Sequence, residues 1–153
     1  MNNSVVKKLH QFVFRLDKVA DKMLKKELGI SYRRAVFLVT LLDEGAMSQH
    51  ELATALGYSD PAVSSLLIEL IKSKYVTAID DPNHGRKRIV SLTDDGTVLA
   101  QKLATYLDGS FNRLARFAGI DERAYGDAND RLLKTLINYE QRKLDNMDVK
   151  PNL

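Results

Sequence analysis

Residues 48–68 read Ser48-Gln49-His50-Glu51-Leu52-Ala53-Thr54-Ala55-Leu56-Gly57-Tyr58-Ser59-Asp60-Pro61-Ala62-Val63-Ser64-Ser65-Leu66-Leu67-Ile68. Ser48 with Glu51 three residues on has the spacing of a capping box, in which each side chain satisfies a free backbone N–H of the other end of the turn. A short helix carrying Leu52, Ala53 and Leu56 comes next, and Gly57 ends it. Ser59 opens another, with Asp60 and Pro61 in its first turn, where an acid and a proline both suit a helix N-terminus. Small Ala53 sits where two helices touch, Gly57 at the tight turn, Val63 and Leu66 on the second helix, and Leu52, Leu56 and Tyr58 between them. That is the helix-turn-helix layout. A plain corner between two helices is the competing reading, and the strand-like residues beyond the second helix argue against it.

Downstream, Tyr75-Val76-Thr77-Ala78-Ile79 and Arg88-Ile89-Val90-Ser91-Leu92-Thr93 are rich in β-branched residues and flank the turn-forming Asp80-Asp81-Pro82-Asn83-His84-Gly85. They predict a hairpin, which makes the unit a winged helix. Upstream, Ser31 is placed to cap a helix with Ala35, Val36, Phe37, Val39, Leu41 and Leu42 on its apolar face, ending at Gly45. Before it, Val5, Leu9, Phe12, Leu16, Val19 and Met23 recur at spacings of three and four. They predict a long helix over residues 4–28 whose seam presses on another helix. After the hairpin, Thr93 can cap a helix bearing Leu99, Leu103, Leu107, Phe111, Leu114 and Ala118, closed by Gly119. Asp121 and Glu122 open a last helix with Leu132, Leu133, Leu136, Ile137 and Leu144 turned inward. The fold class is therefore mainly α: a winged helix-turn-helix at 30–96, with a helical dimerisation region built from the N- and C-terminal helices, 4–28 and 97–147. The whole of 1–153 is expected to be one domain.

Composition narrows the chemistry. The 153 residues are 44% hydrophobic and 28% charged, which suits a globular domain with a sizeable core. No apolar run approaches the ~18 residues of a membrane span, and the N-terminus lacks a basic-then-apolar signal, so a cytoplasmic location with no membrane partner is expected. Cysteine is absent, which removes disulfides, Cys-ligated metals and thiol chemistry. The net charge of +3 permits a polyanionic partner without requiring one. Its surplus lies in the first 30 residues (Lys7, Lys8, Arg15, Lys18, Lys22, Lys25 and Lys26 against three acids), where a solvated helix face accounts for it. His50-Glu51 begins the zinc-protease pattern His-Glu-x-x-His, but Thr54 stands where the second histidine belongs. Asp80-Asp81 and Asp94-Asp95 suit a turn and a helix start, and no catalytic set converges. No enzyme activity and no cofactor are expected.

A helix of this length fits the ~12 Å major groove of DNA, and a wing reaches the backbone or minor groove. With Val63, Leu66, Leu67 and Leu70 turned inward, the candidate DNA contacts are Ser59, Pro61, Ala62, Ser64, Ser65, Ile68 and Lys72, joined by His84, Arg86, Lys87 and Arg88 on the wing. Serine hydroxyls can bond base edges or phosphates, and Ala62 and Ile68 can pack on thymine methyls. The helix face lacks Arg, Asn and Gln, so direct base readout is thin and the wing supplies the charge. Strand alternation sends Arg86 and Arg88 to one side and Lys87 to the other.

In these residues the chain resembles the MarR family of bacterial transcriptional regulators. The resemblance rests on Ser48 through Gly57, on Val63-Ser64 and Leu70, and on Asp81-Pro82 through Arg86 to Leu92-Thr93-Asp94-Asp95-Gly96. It implies a homodimer on a pseudo-palindromic operator, usually a repressor released by a small aromatic or anionic effector. Without cysteine, the thiol-oxidation mode of sensing is closed and a noncovalent effector is left. The family's effector site lies between dimerisation helices and winged helix, which makes Phe14, Arg15, Tyr32, Arg33 and Phe37 the candidates. Four positions depart from the family pattern. His84 replaces the usual wing Asp, Ser65 an Arg on the recognition helix, Ala78 a basic residue just after that helix, and Lys74 the glycine of the helix-ending turn. The first three are expected to lower operator affinity more than to alter the fold. His84 also brings a group that can gain charge between about pH 5 and 8, so DNA affinity should rise modestly as pH falls. The alternative reading is a winged-helix protein-interaction module with weak nonspecific DNA binding.

Overall fold

The computed structural model describes residues 4–81 and 87–141, and the side chains of those residues as far as 139. The order of elements is α1 (Val5–Leu28), α2 (Tyr32–Glu44), β1 (Met47–Ser48), α3 (Gln49–Leu56), α4 (Asp60–Lys72), β2 (Val76–Asp80), β3 (Arg88–Leu92), α5 (Asp94–Phe117) and α6 (Glu122–Gln141). The chain divides into two compact units, one running to Leu107 and the other starting at Asp108. The mainly helical winged-helix class expected from the sequence is the class observed.

In the first unit the core is assembled from Leu24, Ile30, Ala35, Phe37, Leu38, Leu41, Leu52, Ala53, Val63, Leu67, Leu70, Val76, Val90, Ala100 and Leu103. Every element of that unit except β1 contributes, because each helix brings one apolar stripe and the sheet one inner face. The sheet has three strands in the order β1-β3-β2, all antiparallel. The hairpin pairs Val76 with Leu92 through Asp80 with Arg88. The third strand, Met47–Ser48 against Val90 and Ile89, is an addition to the expected hairpin; two residues are too few to show a period.

The capping of α2 and α4 differs from expectation. Ser31 and Ser59 occupy the N-cap positions, but neither side chain makes a capping bond. Instead the Tyr32 N–H donates to Asp21 Oδ1 of α1 at 3.0 Å, so a residue from the preceding helix satisfies the start of α2. The same carboxylate accepts from Lys25 Nζ at 2.6 Å. These two hydrogen bonds, that from Lys25 first, hold Asp21 below the ordinary carboxylate range. Ser48 and Thr93 do cap as expected. The Gly96 N–H donates to Thr93 Oγ1 at 3.0 Å, and that hydroxyl donates to the Lys74 carbonyl at 2.7 Å. The Thr93 N–H donates to the Tyr75 carbonyl at 3.0 Å. A Cβ on Gly96 would lie 1.8 Å from that carbonyl oxygen. The Leu92-Thr93-x-x-Gly96 run is thus the splice that lays the start of α5 onto the turn after α4, and only glycine fits there. Lys74 takes a left-handed backbone, the conformation that suits glycine, with φ +61°.

Two expected inward faces are exposed in the single chain. Along α1 only Leu24 is buried, while Val5 (78% exposed), Leu9, Phe12, Val19 and Met23 are exposed. On α6, Leu132 (72%), Leu133, Leu136 and Ile137 are exposed, not inward. Helical period tells which residues share a face; it does not tell whether the same chain covers that face. Leu144 lies outside the described residues. Within the second unit, the turn between α5 and α6 is tied by Asp121 Oδ1, which accepts from the Ala124 N–H at 2.7 Å. The Phe111 and Tyr125 rings pack with centroids 5.5 Å apart.

Candidate nucleic-acid interface

The α3–α4 corner is built as its residues dictate. Ser48 Oγ accepts from the Glu51 N–H at 3.2 Å and Glu51 Oε2 accepts from the Ser48 N–H at 2.8 Å, which completes the capping box. Glu51 is held below the ordinary carboxylate range by these bonds first, then by the charges of Lys87 and His50. Gly57 takes the left-handed conformation at φ +63°, and the Tyr58 N–H returns to the Ala53 carbonyl at 3.0 Å. Leu52, Ala53, Val63, Leu67 and Leu70 are buried, which fixes how α4 is rolled. A brace from α2 adds to this, with Arg34 Nε donating to Glu69 Oε2 at 2.9 Å.

Rolled that way, α4 leaves Pro61, Ser65, Ile68 (66%) and Lys72 exposed and Ala62 and Ser64 half-exposed, with Ser59 exposed just before it. Ser65 donates its hydroxyl to the Pro61 carbonyl at 3.0 Å, so toward a partner it offers lone pairs. Ala78 lies not beside the helix but inside β2, half-buried opposite Val90. A basic side chain lost at that position is lost from the strand's inner face.

On the wing, His84 and Arg86 lie outside the described residues. Lys87 and Arg88 are exposed. Arg88 Nε stands 4.0 Å from Asp80 Oδ1 across the hairpin, a loose exposed pair of small energetic weight. Both basic residues line one cleft of about 430 Å³, together with Ser48, Gln49, His50, Glu51 and Asp60. Lys87 and Arg88, expected on opposite sides of the strand, both line this cleft. Sequence reading passed over Gln49, His50 and Asp60 as interface residues. The capping box that starts α3 at Gln49 was the available signal, since it sets Gln49 and His50 in the helix's first turn.

The effector candidates are not gathered into one site. Phe14 is exposed on α1 with Lys18 Nζ 4.4 Å from its ring centre, and Arg15 is exposed beside it. Phe37 is fully buried in the core. Tyr32 and Arg33 do come together with Tyr58: the Arg33 guanidinium lies 5.6 Å from the Tyr58 ring centre. Burial, then the nearby Asp17, pushes the Tyr32 hydroxyl above its ordinary value. A second cleft of about 240 Å³ is lined by other residues, among them Arg34, Tyr75, Leu28, Leu70 and Leu99. Among the described residues no group of three His, Asp or Glu could hold a metal ion, and no helix is long and apolar enough to cross a membrane.

Residues 28–87, from the end of α1 to the wing, match the model of the MarR family. Over this segment the chain is similar to the MarR family. Solved structures extend the likeness of fold beyond the matched segment. The MepR–DNA complex of S. aureus superposes with a TM-score of 0.70 at 22% identity, covering 88% of this chain and 97% of that one. Wild-type apo MarR from E. coli gives 0.71 at 18%, covering 89% and 98%. A mutant MarR from E. coli complexed with operator DNA gives 0.65 at 19%, covering 86% and 95%. No curated protein matches the sequence. The MarR-type segment includes the α3–α4 corner, β2 and the wing as far as Lys87, so the family match and the candidate interface fall on largely the same residues.

Proposed function

We propose that this chain is a DNA-binding transcriptional regulator that acts as a homodimeric repressor on an inverted-repeat operator and is released by a small noncovalent ligand. The observation that carries the DNA reading is α4 itself. Its inner face is locked by Val63, Leu67 and Leu70, its outer face is left open by the described residues, and the wing residues Lys87 and Arg88 flank its first turn across a shared cleft. MepR with DNA and MarR with operator DNA, both of this fold, support the same use of the surface. Ser59, Pro61, Ala62, Ser64, Ser65, Ile68 and Lys72 would meet the major groove, and His84, Arg86, Lys87 and Arg88 the backbone or minor groove.

The exposed apolar faces of α1 and α6 support the homodimer, with 4–28 and 97–147 as its dimerisation part: faces of that size on helices that long call for a covering surface. Two recognition helices would then enter successive major grooves ~34 Å apart. Tyr32 and Arg33, with Phe14 and Arg15, remain the residues for an aromatic or anionic effector; Phe37, fully buried, would act only through the packing of the core.

The deciding experiment is binding to the DNA upstream of the chain's own gene, across salt concentrations, with a scrambled duplex as competitor. Preference for the upstream DNA of ~10³-fold or more is expected. Equal affinity for both would favour a protein-interaction module with weak nonspecific DNA contact, a reading favoured by the absence of Arg, Asn and Gln on the outer face of α4.

A further inference from the structure

Asp60 stands at the first helical position of α4. A carboxylate suits a helix N-terminus, but it opposes a phosphate brought to that same turn. Facing it from α3 is His50, with Nδ1 3.4 Å from Asp60 Oδ1 and both side chains exposed to solvent. Among the described residues, the other charged groups around the pair are Glu51 on α3 and Lys87 and Arg88 at the wing. Glu51 is committed to the Ser48 N–H, and Arg88 leans toward Asp80. With a neutral imidazole, the described side chains of the cleft are two carboxylates against two cations, a set with no net attraction for an anion. With a charged imidazole it carries one surplus positive charge, and the carboxylate nearest the recognition helix is neutralised.

Resting on the reading of this chain as a DNA-binding regulator, we propose that the His50–Asp60 pair makes DNA binding proton-linked, with the charged imidazole turning the cleft between α3, α4 and the wing into a seat for a backbone phosphate. The arriving phosphate displaces water and lowers the local dielectric, so an unneutralised Asp60 weighs more in the complex than in the free protein. Binding therefore takes up a proton at His50, and affinity rises as pH falls. Histidine is the side chain whose charge changes between about pH 5 and 8, which places the effect in an accessible range. His84, the group to which the sequence pointed for such a dependence, lies outside the described residues; among those described, His50 is the histidine placed beside an acid.

The test is the affinity of the full chain for a fluorescently labelled, mixed-sequence duplex of about 30 base pairs, at constant ionic strength from pH 8 to pH 6. The parent is expected to tighten about three- to tenfold over that range, below the ceiling of about a hundredfold per pH unit set by one proton on each protomer of a dimer. His50→Gln, which can hydrogen-bond to Asp60 but cannot gain the charge, should lose most of that gain. Asp60→Asn should bind more tightly than the parent at pH 8 and flatten the profile, while His84→Ala keeps it. The proposal is overturned if His50→Gln retains the parent's gain, if the gain vanishes in His84→Ala instead, or if Asp60→Asn binds no more tightly at pH 8. Binding without pH dependence would remove this inference and leave the regulator standing. No binding to this duplex at any pH would remove this inference, while the regulator stands or falls on the upstream DNA.

Discussion

The winged-helix part and the terminal helices are made of similar residues and end in opposite states. Between Ile30 and Leu92, large apolar side chains such as Phe37, Leu38, Leu52, Val63 and Leu67 are buried by their own chain. On the first four turns of α1 and the middle of α6, Leu9, Val13, Leu132 and Leu136 are exposed. Amphipathic period is equally clear in both. The difference is that α2, α3, α4 and the sheet cover one another, whereas a long helix can cover only the part of its seam that a neighbour of the same chain reaches. The winged helix is therefore a finished unit, and the terminal faces are surfaces that their own chain leaves uncovered.

That contrast can be broken in order of severity. Gly96→Ala should be the most damaging, since a methyl group would meet the Tyr75 carbonyl. A loss of about 3–5 kcal/mol is expected in denaturant unfolding, and a loss below about 1 kcal/mol would show that the splice yields easily. Leu52→Ala, in the finished core, should cost about 2–5 kcal/mol. The matched change Leu136→Ala on α6 should instead make the melting temperature more dependent on protein concentration. If both substitutions lowered stability alike at every concentration, the distinction between finished and waiting surfaces would fail. Leu132→Glu with Leu136→Glu should halve the mass seen by sedimentation while leaving helix content intact.

Smaller effects sharpen the winged-helix side. Ser48→Ala removes the buried cap of α3 and should cost about 1 kcal/mol. Glu51, held below the ordinary carboxylate range, stabilises the fold above its unfolded-state value and loses that contribution as pH falls through its lower folded-state value. Acid unfolding of Glu51→Gln should accordingly be less steep than the parent's below about pH 4. On the DNA side, Arg86→Ala should reduce the salt slope of binding by about one unit, and an unchanged slope would remove Arg86 from the interface. The smallest effect should be a gain: Lys74→Gly relieves a left-handed backbone at φ +61° and should stabilise by about 0.5–1 kcal/mol after the greater freedom of the unfolded chain is set against it.

The helix-turn-helix, the wing strands, the caps at Ser48 and Thr93 and the inner face of α4 were legible because each depends on residues within a few positions of one another. Lys74 stood out only through the family resemblance, and its left-handed backbone is known from the structure. The interface was legible as far as α4 and the wing basics. Its third side, formed by Gln49, His50 and Asp60, was not, because nothing within α3 alone says that its first turn faces the wing.

Local order in the chain therefore determined the elements, their ends and their apolar faces, through period, capping and turn chemistry. Tertiary structure alone decided that Asp21 and not Ser31 satisfies the start of α2, that Met47 and Ser48 add a strand to β3, and that Gly96 must admit a carbonyl. It also decided that His50, Asp60 and Lys87 share a cleft. Each of these joins residues from different elements, and a side chain's neighbours across space are set by how whole elements pack, which no short window of sequence contains.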